Sequence, residues 1–234
     1  MEHELASGKT ARAIFLGDVY LGGPGSGTLP DGDMAALFEE HDLRCCNFEG
    51  AAWHENAVTH KKAGPAILQG PQAALRVLES GINLVTIANN HIMDYGKAGL
   101  DATLCALSGA AVIGAGDGEA MASIPYITEI NGVKLGFLAL TERQYGTLGG
   151  GMEAGSAHML DAGVPGRIRR LRAECDHVVL LCHGGLEDVD QPLARWRCVY
   201  RGFIDAGASL VVGCHPHVPQ GSEAYKHGTI CYSL

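Results

Sequence analysis

The stretch "VTIANNHIMDYG", residues 85–96, changes from apolar to polar halfway along its length. Residues 85–88 are apolar or β-branched, which is typical of a strand that is covered on both faces. Two asparagines and a histidine follow, and then come Asp94 and a sequence that favours a helix. In an open α/β sheet, ligands bind beyond the carboxyl ends of the strands. The stretch therefore predicts an α/β fold with functional side chains at one edge of its sheet.

The composition is that of an ordinary soluble globular chain and argues against two classes of partner. The 234 residues are 47% hydrophobic and 18% charged, and the formal net charge is −9. Because no basic stripe is present to meet phosphates, we expect no nucleic-acid partner. No apolar run approaches the roughly 18 residues of a membrane span, so we expect no transmembrane segment in this chain. Without a signal-peptide pattern or C-x-x-C spacing, the sequence favours a cytoplasmic location.

Strand-like and helix-like segments alternate along the chain. This alternation predicts an α/β fold whose sheet is largely parallel with some antiparallel strands. Asn131-Gly132 is a strong signal for a two-residue hairpin. We expect residues 1–12 to form an N-terminal tail and residues 13–234 a single domain. The predicted strands are 13–18, 44–50, 83–89, 110–116, 125–130, 133–140, 177–184, 209–215 and 228–234, and the predicted helices are 33–41, 71–80, 99–109, 167–175 and 192–207.

The predicted core strands end in residues that can bind a metal ion. Because parallel strands bring their carboxyl ends to one edge, two carboxylates, an asparagine carbonyl and several imidazoles would converge there. This donor set suits one or two divalent transition-metal ions. Each residue alone also has a structural explanation, such as a helix cap or a satisfied core histidine. The strand-end residues are Asp18, Glu49, Asn90, His91, His183, His215 and His217.

Several of these strand ends belong to motifs that resemble a known family. "GD", "NFEG", "ANNHIMDYG", "HGGLE" and "GCHPHVPQGSEAY" follow in the order and spacing of the CapA, or PGA_cap, family of poly-gamma-glutamate capsule biosynthesis proteins. That family is a branch of the calcineurin-like metallophosphatase superfamily. The resemblance runs from about residue 13 to the C-terminus. It implies a four-layer α/β/β/α sandwich with mixed sheets and a metal site at the strand ends.

The resemblance also implies roles for individual residues around one or two divalent ions, either Mn, Fe or Zn. In the first metal site, Asp18 and His217 would be ligands and Glu49 would bridge to the second. The second site would use Asn90, His183 and His215. His91 matches the histidine that protonates or stabilises the leaving oxygen. Asp94 and Glu187 match further acidic positions of the catalytic site, which orient the ligands.

Two departures from the family pattern bear on these expectations. Metallophosphatases commonly read Gly-Asp-x-His in the first motif, whereas this chain has Tyr20 in place of the histidine, as is usual in the CapA branch. The first metal is therefore expected to lack one ligand. The chain also stops at "YSL", where the family normally continues "GNF", so we expect the domain to be truncated at its C-terminus. Family members are often membrane-anchored.

The leading functional hypothesis is a metal-dependent hydrolase of the phosphoesterase type. Its partner would be a small anionic substrate or polyglutamate, with Tyr20, Lys61 and Lys62 as candidate substrate contacts. One alternative is a non-hydrolytic polyglutamate-binding component of a synthesis or export assembly. Another is a metal-free acid/base enzyme, epimerase-like, that uses Asp18, Glu49 and the histidines of the same pocket.

Overall fold

Two β-sheets form the centre of the molecule in the computed structural model, which describes residues 9–22, 32–59, 62, 64–144 and 154–234. The first sheet is parallel and contains, in spatial order, β1 (Ala13–Val19), β2 (Leu43–Phe48), β3 (Leu84–Thr86) and β4 (Ala111–Ile113). The second contains, in spatial order, β11 (Gln220–Tyr225), β12 (Gly228–Ser233), β10 (Leu210–Cys214), β9 (His177–His183), β7 (Val133–Thr141) and β6 (Tyr126–Ile130). A short pair is formed by β5 (Ala115–Gly116) and β8 (Gly155–Ser156).

The second sheet is mixed. Its strands β12, β10, β9 and β7 are parallel, whereas β6 and β11 are antiparallel and lie at the two edges. The helices are α1 (Gly32–Glu39), α2 (Ala73–Glu79), α3 (Gly96–Ala106), α4 (Glu119–Ala122), α5 (Val164–Glu174) and α6 (Ala194–Asp205). No helix in the described ranges has the length and hydropathy needed to cross a bilayer.

Three apolar layers separate the sheets and helices and confirm the α/β/β/α sandwich. On β3, Leu84 belongs to the layer between the sheets, while its neighbour Val85 packs with the helix residues Val77 and Leu100. On β9, alternate residues likewise contribute to the layer between the sheets and to the layer under α5 and α6. Successive side chains of a strand point to opposite faces. The central strands are therefore apolar on both faces, which explains their continuous hydrophobic runs.

Strand register aligns the carboxyl ends of the strands within each sheet. In the first sheet, Asp18 of β1 lies opposite Asn47 of β2. In the second, His183 of β9 lies opposite Cys214 of β10. The parallel pairing therefore delivers the polar strand-end residues of each sheet to a common edge, as the sequence predicted.

Most predicted elements are present, with two informative differences. The Asn131-Gly132 hairpin is confirmed, and both residues have positive φ, 51° and 78°, as a type I′ turn requires. The predicted strand 110–116 is instead split into β4 and β5 at Gly114, whose φ is 99°. A Cβ at Gly114 would lie 2.5 Å from the Ala88 Cβ, so the chain bends where only glycine fits. Strand β11 was not predicted because its polar sequence, "QGSEAY", lacks an apolar run.

Strand β10 approaches the end of β12 too closely for any side chain at Gly213. A Cβ there would lie 2.2 Å from the carbonyl oxygen of Tyr232. We expect Gly213→Ala to destabilise the protein by about 1–3 kcal/mol, since the overpacking must be relieved by a backbone shift. The matched control is Gly221→Ala on β11, where a Cβ meets nothing within 4 Å. Urea unfolding would measure the stability of both variants. Equal unfolding midpoints for Gly213→Ala and Gly221→Ala would contradict the close approach.

Candidate metal centre

Three donor atoms from different loops and strands converge at the edge formed by the strand ends. The Asn90 Oδ1 lies 2.9 Å from the His183 Nε2, and the same nitrogen lies 3.1 Å from the His215 Nδ1. All three side chains are buried. An amide oxygen and two imidazole nitrogens suit a divalent transition metal. The structure therefore brings together the three residues predicted for the second metal.

A second group of donors lies beside the first. One ligand atom from each of Asp18, Glu49 and His217 lies within 4.8 Å of the others. The Glu49 Oε1 is buried, receives no hydrogen bond from any described residue, and lies 3.9 Å from the His217 Nε2. A buried polar atom without a partner is costly unless another group satisfies it. The residues present therefore fit a cation at this group. The family resemblance assigned Asp18 and His217 to the first metal, with Glu49 as a bridge to the second.

The carboxylates of this second group differ in their electrostatic surroundings. Burial and the neighbouring charge of Asp18 raise the pKa of Glu49. Burial would also raise the pKa of Asp18, but the charge of His183 and hydrogen bonds from His183, Asn47 and Cys214 bring it well below its ordinary value. The Asn47 Nδ2 donates to the Asp18 Oδ1 at 2.7 Å, and the backbone N–H of His215 donates to its Oδ2 at 3.0 Å. Asp18 is therefore an anion held in a fixed orientation.

The "HPH" segment after β10 has an unusual backbone. His215 has a φ of 104° and His217 a φ of 58°, a region that non-glycine residues seldom adopt and that often marks functional sites. Burial and the charge of His183 lower the pKa of His215 to about 3. The His215 imidazole is therefore neutral near pH 7, the form that binds metals.

His91 lies in a separate buried cluster next to these donors. Its Nδ1 lies 2.8 Å from the Asp94 Oδ2 and 3.0 Å from the Lys62 Nζ. Lys62 also forms an ion pair with Asp94, and their side chains are only 8% and 2% exposed. The backbone N–H of Ile67 donates to the same Asp94 oxygen at 2.7 Å. The ammonium of Lys62, predicted from the sequence as a substrate contact, is thus directed at Asp94 and His91.

The remaining predicted site residues lie at or beyond the rim. Tyr20 follows β1 and is exposed. Glu187 is exposed, and its Oε1 lies 3.9 Å from the His215 Nε2, which is longer than a hydrogen bond. Lys61 lies outside the described residues.

Sequence reasoning missed a set of amides that hold the donors in place. The Gln69 side chain donates to the carbonyls of Val19 and Glu49 and accepts from the N–H of Leu21, so it ties β1 to β2. At the end of β7, Gln144 lies 3.3 Å from both the Asn90 Nδ2 and the His215 Nε2. A signal for Gln144 was available, because "TERQ" is a further polar strand end. Gln69 follows no predicted strand, so its contacts with β1 and β2 become evident only from the folded structure.

Sequence comparisons relate the chain to capsule proteins. It matches the family described as bacterial capsule synthesis protein PGA_cap over residues 12–234. It is 32% identical over 210 residues to the capsule biosynthesis protein CapA of Bacillus anthracis, covering 86% of this chain and 51% of that protein. It is 32% identical over 215 residues to the PGA biosynthesis protein CapA of Bacillus subtilis (strain 168), covering 85% of this chain and 53% of that protein. The chain thus spans about half the length of these relatives.

Structural comparisons identify the fold as the metallophosphatase type. A putative 5'-nucleotidase from Staphylococcus aureus, solved in complex with alpha-ketoglutarate, has a TM-score of 0.58 at 13% identity, covering 95% of this chain and 48% of that one. A phosphatase from Mycoplasma pneumoniae has a TM-score of 0.56 at 15% identity, and the match covers 94% of this chain and 70% of that one. A hypothetical protein from Thermus thermophilus has a TM-score of 0.57 at 19% identity, and the match covers 95% of this chain and 75% of that one. At these low identities, the similarities show a shared fold and nothing further.

The donor groups generate a direct prediction about metal content. Protein purified without a nickel column and supplied with Mn²⁺ or Zn²⁺ should hold about one or two ions per chain. In His215→Ala the affinity should fall by more than the roughly 10–100-fold that loss of an outer-shell partner costs. His227→Ala is the matched control, because this exposed histidine lies in the β11–β12 turn, at the opposite end of the strands. Elemental analysis after dialysis would measure all three proteins, and equal metal content in all of them would contradict the assignment.

Proposed function

The chain belongs to the bacterial capsule synthesis protein family PGA_cap, and on that premise we propose that it is a metal-dependent hydrolase of phosphoester bonds. The observation that carries the proposal is the convergence of the Asn90, His183 and His215 donor atoms beside a buried Glu49 oxygen without a hydrogen-bond partner among the described residues. Such a donor set is arranged for cations. A metallophosphatase-type fold makes ester hydrolysis the reaction class to test first.

Each donor group would hold one divalent ion. Asn90, His183 and His215 would hold one, and Asp18 and His217 the other, with Glu49 between them. Bound ions would supply Lewis-acid activation of water and neutralise charge on the phosphoryl oxygens. The chain itself lowers the pKa of Asp18 chiefly through the charge of His183, and the hydrogen bond from Asn47 orients the carboxylate.

His91 is the proposed proton donor to the leaving oxygen. Its Nδ1 faces Asp94 and Lys62, which leaves the Nε2 to face a bound substrate. The imidazole is close enough to both donor groups for its charge to perturb the pKa values of Glu49 and His215. A positioned imidazole of this kind typically contributes about 10²–10⁴-fold to a rate.

The other predicted residues divide between positioning and binding. The burial of Lys62 against Asp94 favours a role in holding His91 over the substrate contact predicted from the sequence. The exposed Tyr20, two residues after Asp18, is proposed to contact the anionic substrate together with Lys61. Since the net charge is −9, the bound cations would provide much of the attraction for an anion.

Hydrolysis of p-nitrophenyl phosphate and bis-p-nitrophenyl phosphate in the presence of Mn²⁺ tests the proposal. Wild type and His227→Ala should turn over at equal rates, and turnover should stop when the metal is chelated. Asp18→Asn should abolish it, and His91→Ala should lower kcat by about 10²-fold or more, because the leaving group loses its proton donor. Absence of turnover in a wild-type protein that has taken up metal would contradict the proposal.

A second candidate function is a non-hydrolytic, polyglutamate-binding component of capsule synthesis or export. It is favoured by the Bacillus subtilis relative, which is named a PGA biosynthesis protein and of which this chain covers 53%. The same metal-loaded protein can be titrated with fluorescently labelled poly-gamma-glutamate. Metal-dependent binding without turnover of phosphoesters would replace the first proposal with the second.

A further inference from the structure

The His183 ring faces a different set of donors on its other side. Its Nε2 points at Asn90 and His215, whereas its Nδ1 lies 3.3 Å from the Asp18 Oδ1 and 3.4 Å from the Cys214 Sγ. We propose that Asp18, His183 and Cys214 form a further metal site, which takes thiophilic ions such as Zn²⁺ or Cd²⁺ and competes with the strand-end donors for His183. The thiol gives this site a preference that the Asn90–His183–His215 group does not have, since soft thiolate ligands favour Zn²⁺ over Mn²⁺.

The spacing of the three atoms suits a tetrahedral ion. One ligand atom from each residue lies within 4.8 Å of the others. With metal–ligand distances of about 2.0–2.3 Å, neighbouring ligands of a tetrahedral zinc lie roughly 3.3–3.7 Å apart. The separations of 3.3 Å and 3.4 Å from the His183 Nδ1 agree with that geometry, so ion uptake requires little movement of these side chains.

A fixed amide supports the carboxylate ligand of this site. The Asn47 Nδ2 donates to the Asp18 Oδ1 at 2.7 Å, while the Asn47 Oδ1 accepts from the Asn89 Nδ2 at 3.2 Å. The orientation of Asn89 is set by backbone groups, because its Nδ2 also donates to the Phe48 carbonyl and its Oδ1 accepts from the N–H of His91. Asn47 is therefore held as a donor to Asp18, an outer-shell contact of the kind that orients metal-binding carboxylates.

The imidazole chemistry makes the two sites mutually exclusive. A neutral imidazole carries one N–H. When an ion binds the His183 Nδ1, the proton must lie on the Nε2, where the Asn90 Oδ1 accepts it at 2.9 Å. When an ion binds the Nε2, the proton must lie on the Nδ1, which is 3.3 Å from the Asp18 Oδ1 and 3.2 Å from the Asn47 Nδ2. In each arrangement the unliganded nitrogen carries the N–H, so the neutral ring can serve either site but not both at once.

Competition for His183 has a consequence that rests on the proposed function. An ion held by Asp18, His183 and Cys214 withdraws one ligand from each of the two groups assigned to hydrolysis. Thiophilic ions in excess would therefore inhibit a Mn²⁺-loaded enzyme, and Cys214→Ser would relieve that inhibition.

Cadmium titration tests the site without any substrate. The starting protein carries Cys105→Ser and Cys198→Ser, which removes the exposed thiols. We expect one equivalent of Cd²⁺ to produce an ultraviolet thiolate-to-cadmium charge-transfer band. Adding Cys214→Ser should abolish the band, while electron paramagnetic resonance should show that the protein still binds Mn²⁺, because serine keeps a hydroxyl donor for Asp18. Adding Cys231→Ser instead, the matched control on β12, should leave the band intact.

Two outcomes of the cadmium titration would overturn the proposal: a band that persists in the Cys214→Ser protein, or no band in the starting protein. A ¹¹³Cd nuclear magnetic resonance spectrum of wild-type protein provides a readout that needs no variant, since the chemical shift separates a sulfur-containing ligand set from one of nitrogen and oxygen alone. A shift typical of nitrogen and oxygen ligands would also contradict the site. These measurements require no hydrolysis, so they remain decisive whether or not the chain proves to be a phosphoesterase.

Discussion

Parallel pairing of neighbouring strands is the constraint on which the whole candidate site depends. It places Asp18 beside Asn47 in one sheet and His183 beside Cys214 in the other, and face-to-face packing of the sheets then brings the two pairs together. A shift of register by one residue would reverse the face on which every side chain of a strand lies. The apolar layers on both faces of the central strands prevent such a shift, so the hydrophobic core fixes the positions of the polar donors.

The donors are held in a state that would be unfavourable without ligands. The Glu49 Oε1 is buried without a hydrogen bond from the described residues, His215 and His217 have left-handed backbone conformations, and burial lowers the pKa of His215. Natural proteins break local rules of this kind mainly at functional sites. A neutral His215 imidazole, an ionised Asp18 and a Glu49 oxygen that receives no hydrogen bond from the described residues together form an arrangement that a divalent cation would stabilise.

The sequence could predict the strands and their polar ends because both signals are local. Continuous apolar runs marked the central strands, and Asn131-Gly132 marked the hairpin through its own backbone preferences. The contacts of Lys62 and Gln69 could not be predicted, because they depend on where a loop crosses the sheet edge. Cys214 was given no role from the sequence. Its position 3.4 Å from the His183 Nδ1 depends on the pairing of β9 with β10, which joins residues far apart in the sequence.

Anomalous diffraction from crystals of the protein grown with Mn²⁺ tests the central claim most directly. Data collected at the manganese absorption edge locate each bound ion independently of any assay of activity. We expect a peak enclosed by the Asn90 Oδ1, the His183 Nε2 and the His215 Nδ1, and a second, weaker peak among Asp18, Glu49 and His217, where Tyr20 supplies no imidazole. Manganese found only elsewhere on the protein, with both donor groups empty, would contradict the claim that the strand ends form a metal centre.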